Sequence, residues 1–441
     1  MALYFGLPYH RTLPLKGAPI QREIKPKEPK RLTPDRPCDI QGVPEEFDAW
    51  RPGQRDTVEW IAEQLGSTRN GKVTALDAPT GEGKSLEAIA ALKLVGGKGI
   101  VFMATKPLQL QYHDHFPGAA IIWGRQNYKC LRFPDTELTA ADCTHRKYSP
   151  CPKIGVCPYK QAERDAQSAD LVIANYSYGL HKMNLSNGFP GHRTHIYDEA
   201  DLIDGEELKF VTLTLTQRQL EQCQIEPPKY KTKLDSWLKW GPPTSEKVKK
   251  QISELEGRLA PFLEAEQEPP KPLMFELLHY QRLESKLKMF IDLVDETWVP
   301  ELDNPEKWTF KPTFVRRFGH LLTDHADKIL VMSATLLSAK DWGWNLGIDD
   351  AIPFRRNSST FPKEIRPIVP LSIGDFSFKA TTPESMGMMV RMIDGLLDKH
   401  IEEKGLVHAI SYPTAKYIME NSRHSNRLCF SRFCLTSELS L

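Results

Sequence analysis

Two short stretches carry residues arranged for phosphate chemistry. Ala78-Pro79-Thr80-Gly81-Glu82-Gly83-Lys84-Ser85 lies between a predicted strand and an Ala/Leu-rich predicted helix. Glycines at such a turn let backbone N–H groups converge on a phosphate, and the helix N-terminus adds partial positive charge. Pro79, Thr80, Gly81, Glu82 and Gly83 form the cradle; Lys84 is placed to reach the β- and γ-phosphates of ATP, and the Ser85 hydroxyl to ligate Mg²⁺. Ala78 stands where the general eight-residue pattern has its first glycine. Far downstream, Asp198-Glu199-Ala200-Asp201 ends an apolar run, at the strand end where open parallel sheets bind ligands. Asp198 is placed to hold Mg²⁺, directly or through water, and Glu199 to polarise an attacking water; Asp201 is expected to couple nucleotide state to a neighbouring segment. Lys84, Asp198 and Glu199 are the candidate catalytic residues.

Smaller groups accompany these two. Arg51-Pro52-Gly53-Gln54 precedes the phosphate loop, and the Gln54 amide is able to read an adenine edge. Ser333-Ala334-Thr335 follows another predicted strand, and its two hydroxyls suit a sensor between hydrolysis and strand movement. Thr105, Gln109 and Gln111 follow the second strand, where hydroxyl and amide groups suit a phosphodiester backbone.

Four of the eight cysteines fall in one window, as Cys130-x12-Cys143-x7-Cys151-x5-Cys157. No pair has the close spacing of zinc ribbons, and loose spacing of four thiolates suits a [4Fe–4S] cluster better than tetrahedral zinc. Zinc, unliganded thiols and disulfides are the alternatives. Arg125, Tyr128, Lys129, Arg132, His145, Arg146, Lys147, Tyr148, Lys153, Tyr159 and Lys160 surround the cysteines. Basic residues interleaved with aromatics match single-stranded nucleic acid, charge for phosphates and flat faces for bases; a solvated loop surface is the plainer reading. Cys38, Cys223, Cys429 and Cys434 carry no functional reading.

These residues need a scaffold, and the chain predicts one. Short apolar runs at Val73–Ala78, Gly99–Ala104, Ala119–Trp123, Leu171–Ala174, His195–Tyr197 and Lys328–Met332 alternate with helical stretches, which is the signature of a parallel α/β sheet buried on both faces. Residues 1–45, with recurring Pro and Lys, read as an extended arm. Between 205 and 325, Val248, Ile252, Leu255 and Leu259 form one helical stripe. Leu277, Tyr280, Leu283, Leu287, Phe290 and Val294 form another, so two long helices are expected to pack together. Pro242-Pro243 and Pro269-Pro270 are expected to bound the first of them. A second α/β segment is expected after Leu337, with a strand at Gly405–Ser411 and a helix at Pro413–Asn421.

Composition narrows the class further. The 441 residues are 40% hydrophobic and 26% charged with a formal net charge of +1, so any polyanion surface must be local. No run approaches the ~18 apolar residues of a membrane span, and the N-terminus has no secretory pattern. A cytoplasmic, intracellular setting is expected, with a nucleoid-associated or virus-encoded protein compatible with it.

In this order and with these insertion points, Arg51–Gln54, Ala78–Ser85, Thr105–Gln111, the four cysteines, Asp198–Asp201 and Ser333–Thr335 resemble superfamily 2 helicases of the XPD/DinG type. Cys157-Pro158-Tyr159 and Ala169–Tyr176 add to the likeness, which covers about 46–420. It implies a RecA-like P-loop NTPase sheet with an inserted iron–sulfur domain and helical arch, plus a partial second RecA-like domain. By residue number these are motor domain 1 at 46–125, 161–204 and 326–338, the cluster domain at 126–160, the arch at 205–325 and part of motor domain 2 at 339–441. It further implies ATP-dependent 5′→3′ DNA unwinding, with single-stranded or forked DNA as the partner. The family's Gln-x-x-Gly-Arg-x-x-Arg motif has no counterpart in the 441 residues. The expectation is therefore a truncated or split motor, its other half deleted or supplied by a separate polypeptide. Two rivals are a non-catalytic, nucleotide-gated single-strand-binding module, which turnover would separate, and an RNA helicase. The acidic box alone would point to the latter, while the cysteine window and the helical insertion argue against it.

Overall fold

The computed structural model describes residues 31–429 apart from 69–70, 144–150, 266, 268, 337, 363, 365–369, 371–374, 378–379 and 410. Residues 1–30 of the expected arm, His145, Arg146, Lys147, Tyr148 and Cys434 lie outside the described residues. The chain divides into two compact units, Met1–Thr360 and Phe361–Leu441.

Among the described residues, ten strands lie in the first unit: β1 (Val73–Asp77), β2 (Gly99–Met103), β3 (Ala120–Ile121), β4 (Leu171–Asn175), β5 (Thr194–Asp198), β6 (Leu213–Thr216), β7 (Val299–Glu301), β8 (Lys307–Lys311), β9 (Lys328–Ser333) and β10 (Phe354–Arg356). Seven of them form one sheet in the order β10-β1-β9-β5-β2-β4-β3, and every pairing in it is parallel. The expected α/β class is the observed one. Its inner strands β1, β9, β5, β2 and β4 are buried on both faces, as their apolar runs require. Val101, Ile173, Ile196 and Leu330 pack on one side with Ile61 and Ile89. Ile100, Phe102, Val172, Tyr197 and Val331 pack on the other.

Helices fill the crossovers: α1 (Gln54–Gly66), α2 (Lys84–Leu94), α3 (Lys106–His115), α4 (Pro158–Ser168) and α5 (Tyr176–Leu185). Gly179 of α5 lies against Phe102, where an added Cβ would sit 2.4 Å from the ring. Phe102 is fully buried and stacked on Tyr197, so it has little room to yield. Gly179→Ala is expected to destabilise the unit by about 1–3 kcal/mol through overpacking, read as a lower urea midpoint.

After α6 (Ile203–Val211) the chain leaves the sheet for an insertion containing α7 (Leu234–Glu264) and α8 (Lys271–Leu293). Both apolar stripes are met: Val248, Leu255, Leu259, Leu277, Leu283, Leu287 and Phe290 share one core with Trp237 and Trp308. The Pro242-Pro243 boundary is corrected, since α7 runs straight through both prolines. Tertiary packing overrides local propensity here, for Trp237 is fully buried before the prolines and Val248 after them. The insertion also carries an antiparallel sheet, β6-β8-β7, that apolar periodicity did not reveal.

Residues 339–360 belong to the first unit, because β10 pairs in parallel with β1; the unit boundary is at Thr360, not after residue 338. In the second unit, α9 (Pro383–Lys399) starts at a Thr382/Ser385 capping box, and α10 (Tyr412–Asn421) is capped by Ser411. The buried Asp394 of α9 accepts a hydrogen bond from Ser422 Oγ at 2.5 Å. The expected strand at Gly405–Ser411 does not form among the described residues, which show no ladder partner for it, and Leu406 is 81% exposed.

Candidate functional site

Strand register places the two phosphate-chemistry segments together. β9 lies between β1 and β5, and its Met332 faces both Leu76 and Asp198, while Ser333 faces Asp77. Three neighbouring strands thus end level, with the phosphate loop, the Ser-Ala-Thr turn and the acidic box on one carboxyl edge.

The loop uses its glycines as expected. Gly81 and Gly83 have φ of 87° and 94°, the left-handed region that side chains disfavour. At Gly83 a Cβ would lie 2.2 Å from Gln54 Nε2. Lys84 opens α2, largely buried, and its Nζ donates to Ala78 O at 3.0 Å. Gln54 plays a different part from the one expected. It is 3% exposed, its Nε2 donates to Glu82 O at 2.7 Å, and its Oε1 accepts from Arg51 N at 2.9 Å. With both amide ends engaged it braces the loop from beneath, while Arg51 holds Gly81 O at 2.5 Å from the solvent side.

Asp198 is 6% exposed. Tyr112 of α3 donates to its Oδ2 at 2.6 Å, and Glu199 N donates to its Oδ1 at 3.0 Å. Burial pushes the Asp198 carboxyl up, against the Tyr112 hydrogen bond and the Lys84 charge. Glu199 is raised by burial and by Asp198 beside it, and again Lys84 opposes the rise. Ser85 opposes the rise that burial and Asp198 impose on the Tyr112 phenol, so the phenol neighbours both oxygens expected to share a magnesium ion. Tyr176 adds a bond to Asp198 O at 2.6 Å. Tyr112 and Tyr176 were missed in the sequence, where each reads as an ordinary core aromatic.

The acidic box meets the Ser-Ala-Thr turn directly. Ser333 Oγ donates to one Asp201 oxygen at 2.6 Å and Thr335 Oγ1 to the other at 2.9 Å. A third connection was not anticipated. Glu82, in the loop, takes Thr360 N on one carboxylate oxygen and Thr360 Oγ1 on the other, each at 2.7 Å. Burial acts to raise this carboxyl, yet the bonds from Thr360 outweigh it and hold it low. Arg356 similarly holds Asp77 at 2.8 Å. Residues 354–360 therefore run as a strap across the mouth of β1.

The expected nucleic-acid contacts separate. Thr105 and Gln111 are exposed. Gln109 is corrected: it is fully buried and donates to Ile122 O at 3.3 Å, so no backbone phosphate reaches it. Arg125 lies 5.5 Å from the Tyr159 ring centroid, and Tyr128, half-buried, packs edge-on against Tyr159.

Cys130, Cys143, Cys151 and Cys157 line one narrow cavity of about 40 Å³ together with Arg125, Lys129, Arg132, Lys153 and Lys160. All four are free thiols. Among the described residues no three His, Cys, Asp or Glu side chains gather closely enough for a single metal ion.

Comparison with solved structures gives the following. The chain is similar to XPD helicases. One XPD helicase structure matches at 16% identity and a TM-score of 0.47, over 85% of this chain and 74% of that one. A truncated XPD matches at 15% and 0.42 over 69% and 99%, and Xpd4 of S. tokodaii at 12% and 0.39 over 84% and 76%. No family model and no curated protein matches. Among the described residues no helix is long and apolar enough to cross a membrane.

Proposed function

We propose that this chain binds magnesium–ATP at the sheet edge and uses its hydrolysis to move along single-stranded DNA, opening duplex at a fork in the 5′→3′ sense. The observation that supports it best is the shared edge: β9 pairs with both β1 and β5, so the phosphate loop and the acidic box end level, and Tyr112 donates to Asp198 beside them. Ser85 and Asp198 offer the hard oxygens that Mg²⁺ prefers. The metal would neutralise phosphate charge during transfer. Lys84 would leave Ala78 O for the phosphates, and Glu199 would orient water. Ser333 and Thr335, bonded to Asp201, would relay the change along β9.

What supports a [4Fe–4S] cluster is the donor type, four soft thiols, and their lining of one cavity. A cluster there would tie together the three loop segments that bear those thiols. The purified protein is expected to be brown, with iron and acid-labile sulfide in about equal amounts, and Cys143→Ser to bleach it. A colourless, zinc-bearing protein would overturn this part.

Phosphate release from ATP, measured with and without oligothymidylate, tests the main reading. Stimulation by the oligonucleotide is expected, and its loss in Asp198→Asn. No Gln-x-x-Gly-Arg-x-x-Arg stretch occurs in the 441 residues, so these residues offer no arginine of that motif to the γ-phosphate. Turnover by the chain alone is then expected to be slow, on the order of 10³ below a complete site. Magnesium–ATP binding with no oligonucleotide-dependent release at any protein concentration would favour the nucleotide-gated binding module, and stimulation by RNA in place of DNA the RNA helicase.

A further inference from the structure

The helical insertion carries a feature that none of the site residues above includes. Its sequence enters α7 through Pro227-Pro228-Lys229-Tyr230-Lys231-Thr232-Lys233. Three ammoniums and one phenol occupy five consecutive positions, in a protein whose overall charge is nearly balanced. Tyr230 is 57% exposed, unusual for a large aromatic with no pocket of its own. Lys229 Nζ and Lys233 Nζ lie 5.6 and 5.4 Å from its ring centroid, within reach of a cation–π attraction. Lys231 Nζ lies 5.4 Å from the Trp308 ring.

The loop is held firmly from below. Trp237 Nε1 donates to Lys231 O and Trp240 Nε1 to Glu226 O, each at 2.8 Å. Tyr280 OH donates to Cys223 O at 2.7 Å, just before the loop. Trp237 is fully buried among Trp240, Trp308 and Phe310. An aromatic cluster therefore fixes the backbone while the side chains of Lys229 and Tyr230 face solvent.

Charge is the second observation. Elsewhere on the insertion Lys239 meets Asp235 at 2.7 Å, Lys249 meets Glu246 at 2.9 Å, and Lys311 meets Glu301 at 2.5 Å. Among the described residues, none of Lys229, Lys231 and Lys233 has a carboxylate partner. Two cations over an exposed ring and a third over Trp308 beside it, none with a carboxylate partner among the described residues, favour a ligand that repeats negative charge and offers flat faces. Single-stranded nucleic acid does both.

We propose that Lys229–Lys233 is a docking platform for single-stranded nucleic acid, with Tyr230 stacking a base and the three lysines contacting the flanking phosphates. The platform rests on the nucleic-acid reading above and adds a contact on the insertion, away from the cysteine window. On binding, Lys229 and Lys233 exchange the Tyr230 ring for phosphates, Lys231 leaves Trp308 for another, and the Tyr230 ring takes a base.

The test uses the full chain and fluorescein-labelled oligothymidylate, followed by anisotropy across a salt series. Tyr230→Ala is expected to weaken binding about tenfold, with the salt dependence unchanged, because stacking a base is worth about 1–3 kcal/mol. Tyr230→Phe is expected to keep wild-type affinity. The combined Lys229→Ala, Lys231→Ala and Lys233→Ala variant is expected to flatten the slope of log K against log salt by about 2, at about 0.7 per phosphate contact. If wild type binds and these variants bind alike with the same slope, the platform is wrong and the motor reading stands. If wild type binds no oligonucleotide, both fall. Displacement of the oligonucleotide by polyglutamate at equal charge concentration would instead assign the loop to an acidic polypeptide and overturn the proposal. Unchanged melting temperatures serve as the folding control, since the substituted side chains lie at the surface.

Discussion

Lys84→Ala is expected to abolish measurable magnesium–ATP binding while the protein stays folded. The ammonium has one observed partner, Ala78 O at 3.0 Å, and it is the cation acting on Asp198 and Glu199. Two charge-assisted contacts to phosphate at about 1.5–3 kcal/mol each would be lost, at least on the order of 100-fold in affinity. Two neighbouring carboxyls, already pushed up by burial, would also lose the Lys84 charge that opposes the rise, so nucleotide-free protein should take up protons more readily. The fold should survive, because losing the single bond to Ala78 O is offset by removal of the desolvation cost of a buried ammonium. Titration calorimetry with magnesium–ATP reads the first effect and urea unfolding the second. Near-normal affinity in Lys84→Ala would remove Lys84 from the site.

Glu207→Gln is expected to stabilise the protein strongly in mild alkali and hardly at all in acid. Glu207 sits in α6 with no exposed surface, and neither carboxylate oxygen has a hydrogen-bond partner. Burial, reinforced by Asp204, pushes its carboxyl from 4.5 up to about 8. Between those values the folded chain holds a proton that the unfolded chain releases. The stability associated with the protonated form is therefore complete below about pH 4.5 and is lost as pH rises through about 8. Glutamine does not titrate, so the variant should gain on the order of 4 kcal/mol above about pH 8 and almost nothing near about pH 4. Urea midpoints at the two extremes measure this; an equal shift at both would refute the buried-acid origin. Glu87, also pushed by burial to about 8, titrates in both proteins and cancels.

The contrast between the two glutamates and the phosphate loop shows what a sequence can reveal. Lys84 and Ser85 were legible because a strand, a glycine turn and a helix are local and their order fixes the chemistry. Asp198 was legible for the same reason. Their sharing of one magnesium site was expected from their residue types, while the strand order that brings them together, β9 between β1 and β5, is encoded by no local pattern. Tyr112 was hidden because a tyrosine on a helix flank looks like core, and only the fold aims its hydroxyl at Asp198. Gln109 misled in the opposite direction: a polar residue beside a predicted contact reads as surface, and here it is sealed inside. β10 escaped notice because Phe354-Arg355-Arg356 is short and charged, paired only along the edge of β1. Pro242-Pro243 looked like a stop, yet the packing of Trp237 and Val248 on either side carries the helix through.

Glu199 has φ of 54° and ψ of 51°, a conformation that penalises any residue with a Cβ by roughly 1–2 kcal/mol. Glycine would relieve that penalty and forfeit a comparable amount of chain entropy, about 0.5–1 kcal/mol. Folding is thus nearly indifferent between the two residues at this corner. Whatever the carboxylate accomplishes there, it does so as a guest of the backbone, and an unfolding experiment would barely register its departure.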